Sequence, residues 1–235
     1  MMNTRLFIIA ITPGIALALS IYFTDRYDKE PLSLLLKVFI LGAISVVPTA
    51  IVERFLLSFN IFAGLLSAAF TALIVAGLTE EFFKRAVVLS TAFKSKAFDE
   101  KLDGIIYAIF SALGFATVEN VMYVVFRFTN NPHIGLYRGI FSVPAHMLFA
   151  VTMGYYLSLA KFAIDKKEER RYRRKSLIVP ATLHGIFNFI LMADIPAVFL
   201  IFIPYVIYLW VINLRKLNEY YAESKILYNR KIRIE

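Results

Sequence analysis

The chain contains no cysteine, and charged residues make up only 18% of its 235 positions. The first absence excludes structural disulfides, a thiol nucleophile and any thiolate zinc site, so a metal would have to be held by His, Glu, Asp or Asn. The second, with 59% hydrophobic residues and a mean hydropathy of +0.67, excludes a water-soluble surface. A linker rich in Gly, Ser or Pro is also missing, as are internal repeats and low-complexity tracts. Apolar segments instead recur from Leu6 almost to Leu214. These features predict an all-α, polytopic transmembrane helical bundle: a single membrane domain over 1–214, followed by a basic tail over 215–235.

Seven spans are expected, at roughly 6–23, 33–52, 61–93, 103–125, 138–160, 176–193 and 196–214. The third is too long for one crossing, about 50 Å against a hydrocarbon core of about 30 Å. It either extends beyond the bilayer or breaks near Gly77, with Thr79 capping a restarted helix and an eighth span resulting. Ala16-Leu17-Ala18 resembles a signal-peptidase site. The apolar run continues to Phe23, however, which favours an uncleaved span over removal of residues 1–18.

Lys and Arg are distributed unequally between the two sets of loops. One set receives Arg26, Lys29, Lys94, Lys96, Lys101, the run from Lys161 to Lys175 and the tail; the other receives Arg5, Arg54, Arg127 and Arg138. Basic loops stay inside, so the N-terminus is expected outside and the C-terminus in the cytoplasm. The net charge of +9 then reflects topology and attraction to anionic membrane lipids, with no nucleic-acid partner implied.

Ionisable groups within apolar spans need a cavity or a partner, because each costs at least about 2.5 kcal/mol at a helix centre. Five stand out: Glu80, Glu81, Glu119, His146 and His184. Helical spacing places Lys84 one turn after Glu80 and Arg85 one turn after Glu81, giving each carboxylate a cation. Gly104, Ala108, Ala112 and Ala116 form a small-residue stripe for close helix packing, and Glu119 with Asn120 lies near that face. His184 and Asn188 share a helix face. Counted inward from the cytoplasmic ends, His184 lies about 12 Å deep, His146 about 18 Å and Glu119 about 24 Å, so they can line one cavity. Glu80 and Glu81 join that layer only if their span enters from the outer side near residue 70, leaving 58–69 interfacial or re-entrant.

Each group also has a structural explanation, as a surface ion pair, a protonated acid or a satisfied bundle histidine. Glu53-Arg54, Asp103-Gly104 and Asp194 suit helix ends and turns, and His133 suits a loop. No H-E-x-x-H, G-x-S-x-G or S-x-x-K signature is present at a suitable position.

The ordered set Glu80-Glu81-x-x-Lys84, Gly114-Phe115-x-x-x-Glu119-Asn120, His146 followed by Gly154-Tyr155, and His184-x-x-x-Asn188 resembles the PrsW family of intramembrane proteases. That family is related to the CAAX-prenyl endopeptidase and bacteriocin-processing superfamily. The motif-bearing core covers about 77–190. The resemblance implies peptide hydrolysis in a prokaryotic cytoplasmic membrane, with a single-span or membrane-linked substrate such as an anti-sigma factor. It further implies Glu80 as general base beside Glu81, His184 and Asn188 at the oxyanion, and His146 as a third polar position. The second motif ends in His in the CAAX relatives and in Glu119 here, which leaves two chemistries open. One is a metal-free glutamate protease. The other is a zinc enzyme with His146, His184 and Glu119 as candidate ligands.

Two further classes fit buried Glu and His. A secondary transporter or channel would show related halves, which this sequence lacks. A noncatalytic membrane-binding partner would keep the fold without a competent water site.

Overall fold

The computed structural model describes residues 4–128, 131 and 133–234. Every regular element among them is helical. Among the described residues seven helices are long and apolar enough to cross a membrane: α1 (Thr4–Thr24), α2 (Leu32–Leu57), α3 (Gly64–Lys94), α4 (Lys101–Arg127), α5 (His133–Lys161), α6 (Lys166–Met192) and α7 (Pro196–Ile232).

The expected spans all lie within these helices or at their edges, but the helices run further. Hydropathy marks only the part of a helix that needs lipid, and helical hydrogen bonding continues past it. α6 therefore begins at Lys166, where the Asp165 carboxylate caps it by accepting from the Glu168 backbone amide at 2.7 Å. The basic run after it is helix, and residues beyond 214 continue α7. His133, expected in a loop, is the first residue of α5.

The third segment is one helix through Gly77, and no eighth span forms among the described residues. Leu78 has helical dihedrals of φ −70° and ψ −44°. The Thr79 hydroxyl donates to the Ile74 carbonyl at 3.3 Å inside the helix and does not cap a new one. Gly77 serves packing: a Cβ there would stand 2.8 Å from the Ala181 carbonyl oxygen and 2.9 Å from the Gly185 nitrogen of α6. Its 31 residues measure about 46 Å at 1.5 Å per residue, so the excess beyond about 30 Å extends out of the hydrocarbon.

α4 is the central helix, touching α1, α2, α3, α5 and α7. Its small-residue stripe is fully used: Gly104, Ala108, Ala112 and Ala116 are all buried. Gly104 meets Gly154 of α5 so closely that a Cβ on Gly154 would overlap the Gly104 carbonyl oxygen and the Ile105 Cα. Close backbone approach of this kind drives helix association where lipid removes the hydrophobic incentive.

Contacts gather the basic segments at one end of the bundle. Lys231 pairs with Asp28 at 2.7 Å and Lys101 with Glu223 at 2.9 Å, while Lys161 donates to the Phe93 carbonyl at 2.8 Å. Asp103 accepts from the Asp99 and Glu100 backbone amides, as suits a helix start. Asp194, at φ 52°, turns the chain between α6 and α7.

Candidate active site

Glu80, Glu81 and Lys84 occupy one face of α3, just after a π-helical stretch at Thr71–Leu78. Such turns concentrate at functional sites. Lys84 is fully buried and spends all three ammonium protons: on Glu80 Oε2 at 2.9 Å, Glu81 Oε1 at 2.8 Å and His146 Nδ1 at 2.9 Å. Its Nζ also lies 4.4 Å from the centre of the Phe115 ring. A lysine buried in a membrane span is tolerable only with such complete pairing.

The expected partnership of Glu81 with Arg85 does not form. Lys84 serves both carboxylates, and Arg85 reaches α6, donating to Ser176 Oγ and the Arg173 carbonyl, each at 2.8 Å. The Glu81 carboxylate is taken up by Lys84 and His184 instead, and the longer Arg85 side chain turns away to α6.

The hydrogen bonds define the histidine tautomers. An ammonium only donates, so His146 Nδ1 carries a lone pair and its Nε2–H donates to Glu119 Oε2 at 3.0 Å. A carboxylate only accepts, so His184 Nδ1–H donates to Glu81 Oε1 at 3.0 Å. Each imidazole is thus braced on one carboxylate through one nitrogen. The other nitrogens converge on Glu80: His146 Nδ1 lies 3.9 Å and His184 Nε2 4.0 Å from Glu80 Oε2. The His184 ring stacks on Phe149 with centroids 4.8 Å apart.

Arg138 Nη2 donates at 2.9 Å to the same oxygen, Glu119 Oε2, that accepts from His146, while Arg138 Nε donates to Asn120 Oδ1 at 3.0 Å. Asn120 Nδ2 donates in turn to the Ala10 carbonyl of α1 at 2.8 Å. Arg138, counted in the sequence only as a loop charge, is therefore part of this network.

A cavity of about 540 Å³ opens onto the cluster. Glu80, Glu119, His146, His184 and Asn188 all line it, whereas the fully buried Glu81 stands behind. The Asn188 side chain has no hydrogen-bond partner among the described residues and lines the cavity one turn after His184. Glu53, read from sequence as a helix-end residue, also lines the cavity. Its place on α2 relative to the other helices was the missing information.

Among the described residues one group has the spacing of a metal site: Glu80, His146 and His184, whose donor atoms lie within 4.8 Å of one another. Two imidazoles and a carboxylate suit zinc, and a carboxylate on the far nitrogen of each histidine is the usual outer support. Tetrahedral binding needs donors about 3.4 Å apart, so a modest contraction suffices. Glu119, expected among the candidate ligands, lies outside this group and accepts from His146 Nε2–H, while Glu80 is the carboxylate within it. Lys84 engages two of the three donor atoms and would have to withdraw from them.

Carboxylates, imidazoles and a lysine assembled beside a cavity inside a seven-helix bundle define a membrane protein equipped for hydrolysis within the bilayer. The family model described as PrsW family intramembrane metalloprotease matches residues 30–212. A protein named Protease PrsW from Clostridioides difficile (strain 630) is 42% identical over 233 residues, covering 99% of this chain and 98% of the relative. The protein of the same name from Bacillus subtilis (strain 168) is 34% identical, covering 88% and 91%. That from Geobacillus kaustophilus (strain HTA426) is 38% identical, covering 78% of each chain. No solved structure matches. The chain belongs to the PrsW family and is an intramembrane protease. Its apolar helices and bacterial relatives make it an integral protein of the bacterial cytoplasmic membrane.

Proposed function

We propose that the chain hydrolyses a peptide bond in or beside the membrane span of a single-span protein, an anti-sigma factor being the candidate type, at the Glu80 end of the cavity. The observation that carries this reading is the pair of histidines braced by Glu119 and Glu81 with their remaining nitrogens turned to Glu80. Lys84 engages one oxygen of Glu80, and the other is left to order a water and take its proton. The Asn188 amide, beside His184 on the cavity wall, donates to the oxyanion that forms as water attacks the scissile carbonyl. Positive charge in the loops favours the basic end as the cytoplasmic one, with the N-terminus outside.

Glu80, His146 and His184 are also the residues that would hold a divalent ion such as zinc. Lewis-acid activation of water is the chemistry such an ion supplies when bound. Two contacts of Lys84 favour the metal-free form of the reaction, since it already engages Glu80 Oε2 and His146 Nδ1.

Proteomic comparison of membranes carrying wild type or Glu80→Ala tests the function and identifies the substrate. We expect a membrane protein to be shortened only with the wild type; identical fragment patterns would refute the proposal. Cleavage by the purified protein after exhaustive chelation separates the chemistries, persisting in the metal-free form and ceasing in the other.

A further inference from the structure

A second concavity, of about 390 Å³, lies away from the cavity described above and is lined by Arg85, Arg170, Arg173, Arg174, Leu177 and Ile178. Positions 170, 173, 174, 177 and 178 follow the i, i+3, i+4, i+7, i+8 spacing of one helix face. That face of α6 changes along its length from guanidinium to hydrocarbon, and Ile178 is 59% exposed. Arg85 crosses from α3 to complete the basic end. It is held by Ser176 Oγ and the Arg173 carbonyl through Nε and Nη2, with other N–H donors to spare.

Four like charges around one hollow repel one another unless an anion joins them. Among the described residues the single acidic side chain paired to any of them is Glu169, 3.3 Å from Arg173 and shared with Lys166 at 2.9 Å. Arg170 and Arg174 have no side-chain partner among the described residues. Guanidiniums match phosphate oxygens bidentately. A free phosphate would use the arginines alone, whereas the adjoining Leu177 and Ile178 also offer a surface for an acyl chain.

We propose that this pocket binds the phosphate headgroup of an anionic phospholipid, the acyl chain lying along Leu177 and Ile178. The bound headgroup bridges α3 and α6. These helices carry Lys84, next to Arg85, and His184, so the lipid holds together two walls of the cluster described above. The binding itself stands independently of the proposed chemistry.

The test is native mass spectrometry of delipidated full-length protein titrated with phosphatidylglycerol, phosphatidylcholine or inorganic phosphate. Arg170→Gln with Arg174→Gln is compared with the charge-matched control Lys225→Gln with Arg230→Gln on α7. The proposal predicts retention of phosphatidylglycerol over phosphatidylcholine, weakened about tenfold in the arginine variant and unchanged in the control. Displacement by inorganic phosphate at comparable concentration would assign the site to a free anion and overturn the lipid assignment. Equal weakening in both variants, or none in either, would overturn the site.

Discussion

Lys84 of α3 donates to His146 of α5 across 2.9 Å, and that contact joins the paired glutamates to the Glu119 and Arg138 network. The lysine is both the counter-charge for Glu80 and Glu81 and the group that fixes the His146 tautomer. Lys84→Met is similar in length and strips the charge, leaving two buried carboxylates with no cation between them. Breaking a buried ion pair in this way costs about 3–5 kcal/mol. Thermal unfolding in detergent should show a lowered midpoint, and an unchanged midpoint would contradict the pairing.

Competition between Lys84 and a metal for the same donor atoms gives a second prediction. If zinc displaces Lys84 from Glu80 and His146, as the metal-dependent form of the reaction requires, the wild type equilibrated with zinc should retain one ion, and Glu80→Gln, His146→Ala and His184→Ala should retain far less. Glu119→Ala should weaken retention by about 10–100-fold through loss of the brace on His146. Lys84→Met should strengthen it where the variant stays folded. Elemental analysis after dialysis reads all of these, and retention unaffected by His146→Ala would remove the site.

Much of this arrangement is legible in the sequence, for reasons that also mark where legibility ends. Helical periodicity places Glu80 and Lys84 one turn apart and His184 and Asn188 on one face, and those relations hold because they are local. Depth counting brings His184, His146 and Glu119 towards one layer, consistent with contacts of 3.0 Å from His146 to Glu119 and from His184 to Glu81. The partners of Lys84, Arg85, Arg138 and Glu53 across helices depend on rotation of one helix against another, which no single helix encodes. Of the two readings of the long third segment, extension beyond the bilayer or a break near Gly77, the break is absent for a related reason: a glycine required by close approach of α6 looks the same in sequence as one that ends a helix.

The contact between Gly154 and Gly104 allows no side chain. Gly154→Ala should push α5 away from α4, at a cost of about 1–3 kcal/mol or more for overpacking a close helix pair. The unfolding midpoint should fall, and cleavage should fall with it, because α5 carries His146. A variant as stable and active as wild type would show that the helices are not in this close register.

At the basic end, Asp25 and Glu30 lie in the connection between α1 and α2, both buried. Burial pushes the Asp25 carboxyl from 3.8 up to about 6 and raises Glu30 above its ordinary 4.5 as well. Glu30 also accepts a hydrogen bond from the Tyr107 hydroxyl. The folded chain therefore keeps protons that the unfolded chain releases. Their stabilisation is full below about pH 4 and is lost as pH rises, through about pH 6 for Asp25 and further for Glu30. The unfolding midpoint should drop between about pH 5 and about pH 8, and Glu30→Gln should reduce that drop. An equal drop in the variant would contradict the buried acid.

The most direct test of the central claim is hydrolysis in ¹⁸O-labelled water, with the purified protein and a single-span peptide reconstituted in liposomes. The account predicts that wild type releases a fragment whose new C-terminal carboxylate carries one ¹⁸O, and that Glu80→Gln, folded and reconstituted equally well, releases none. Labelled fragment from Glu80→Gln at the wild-type rate would contradict it.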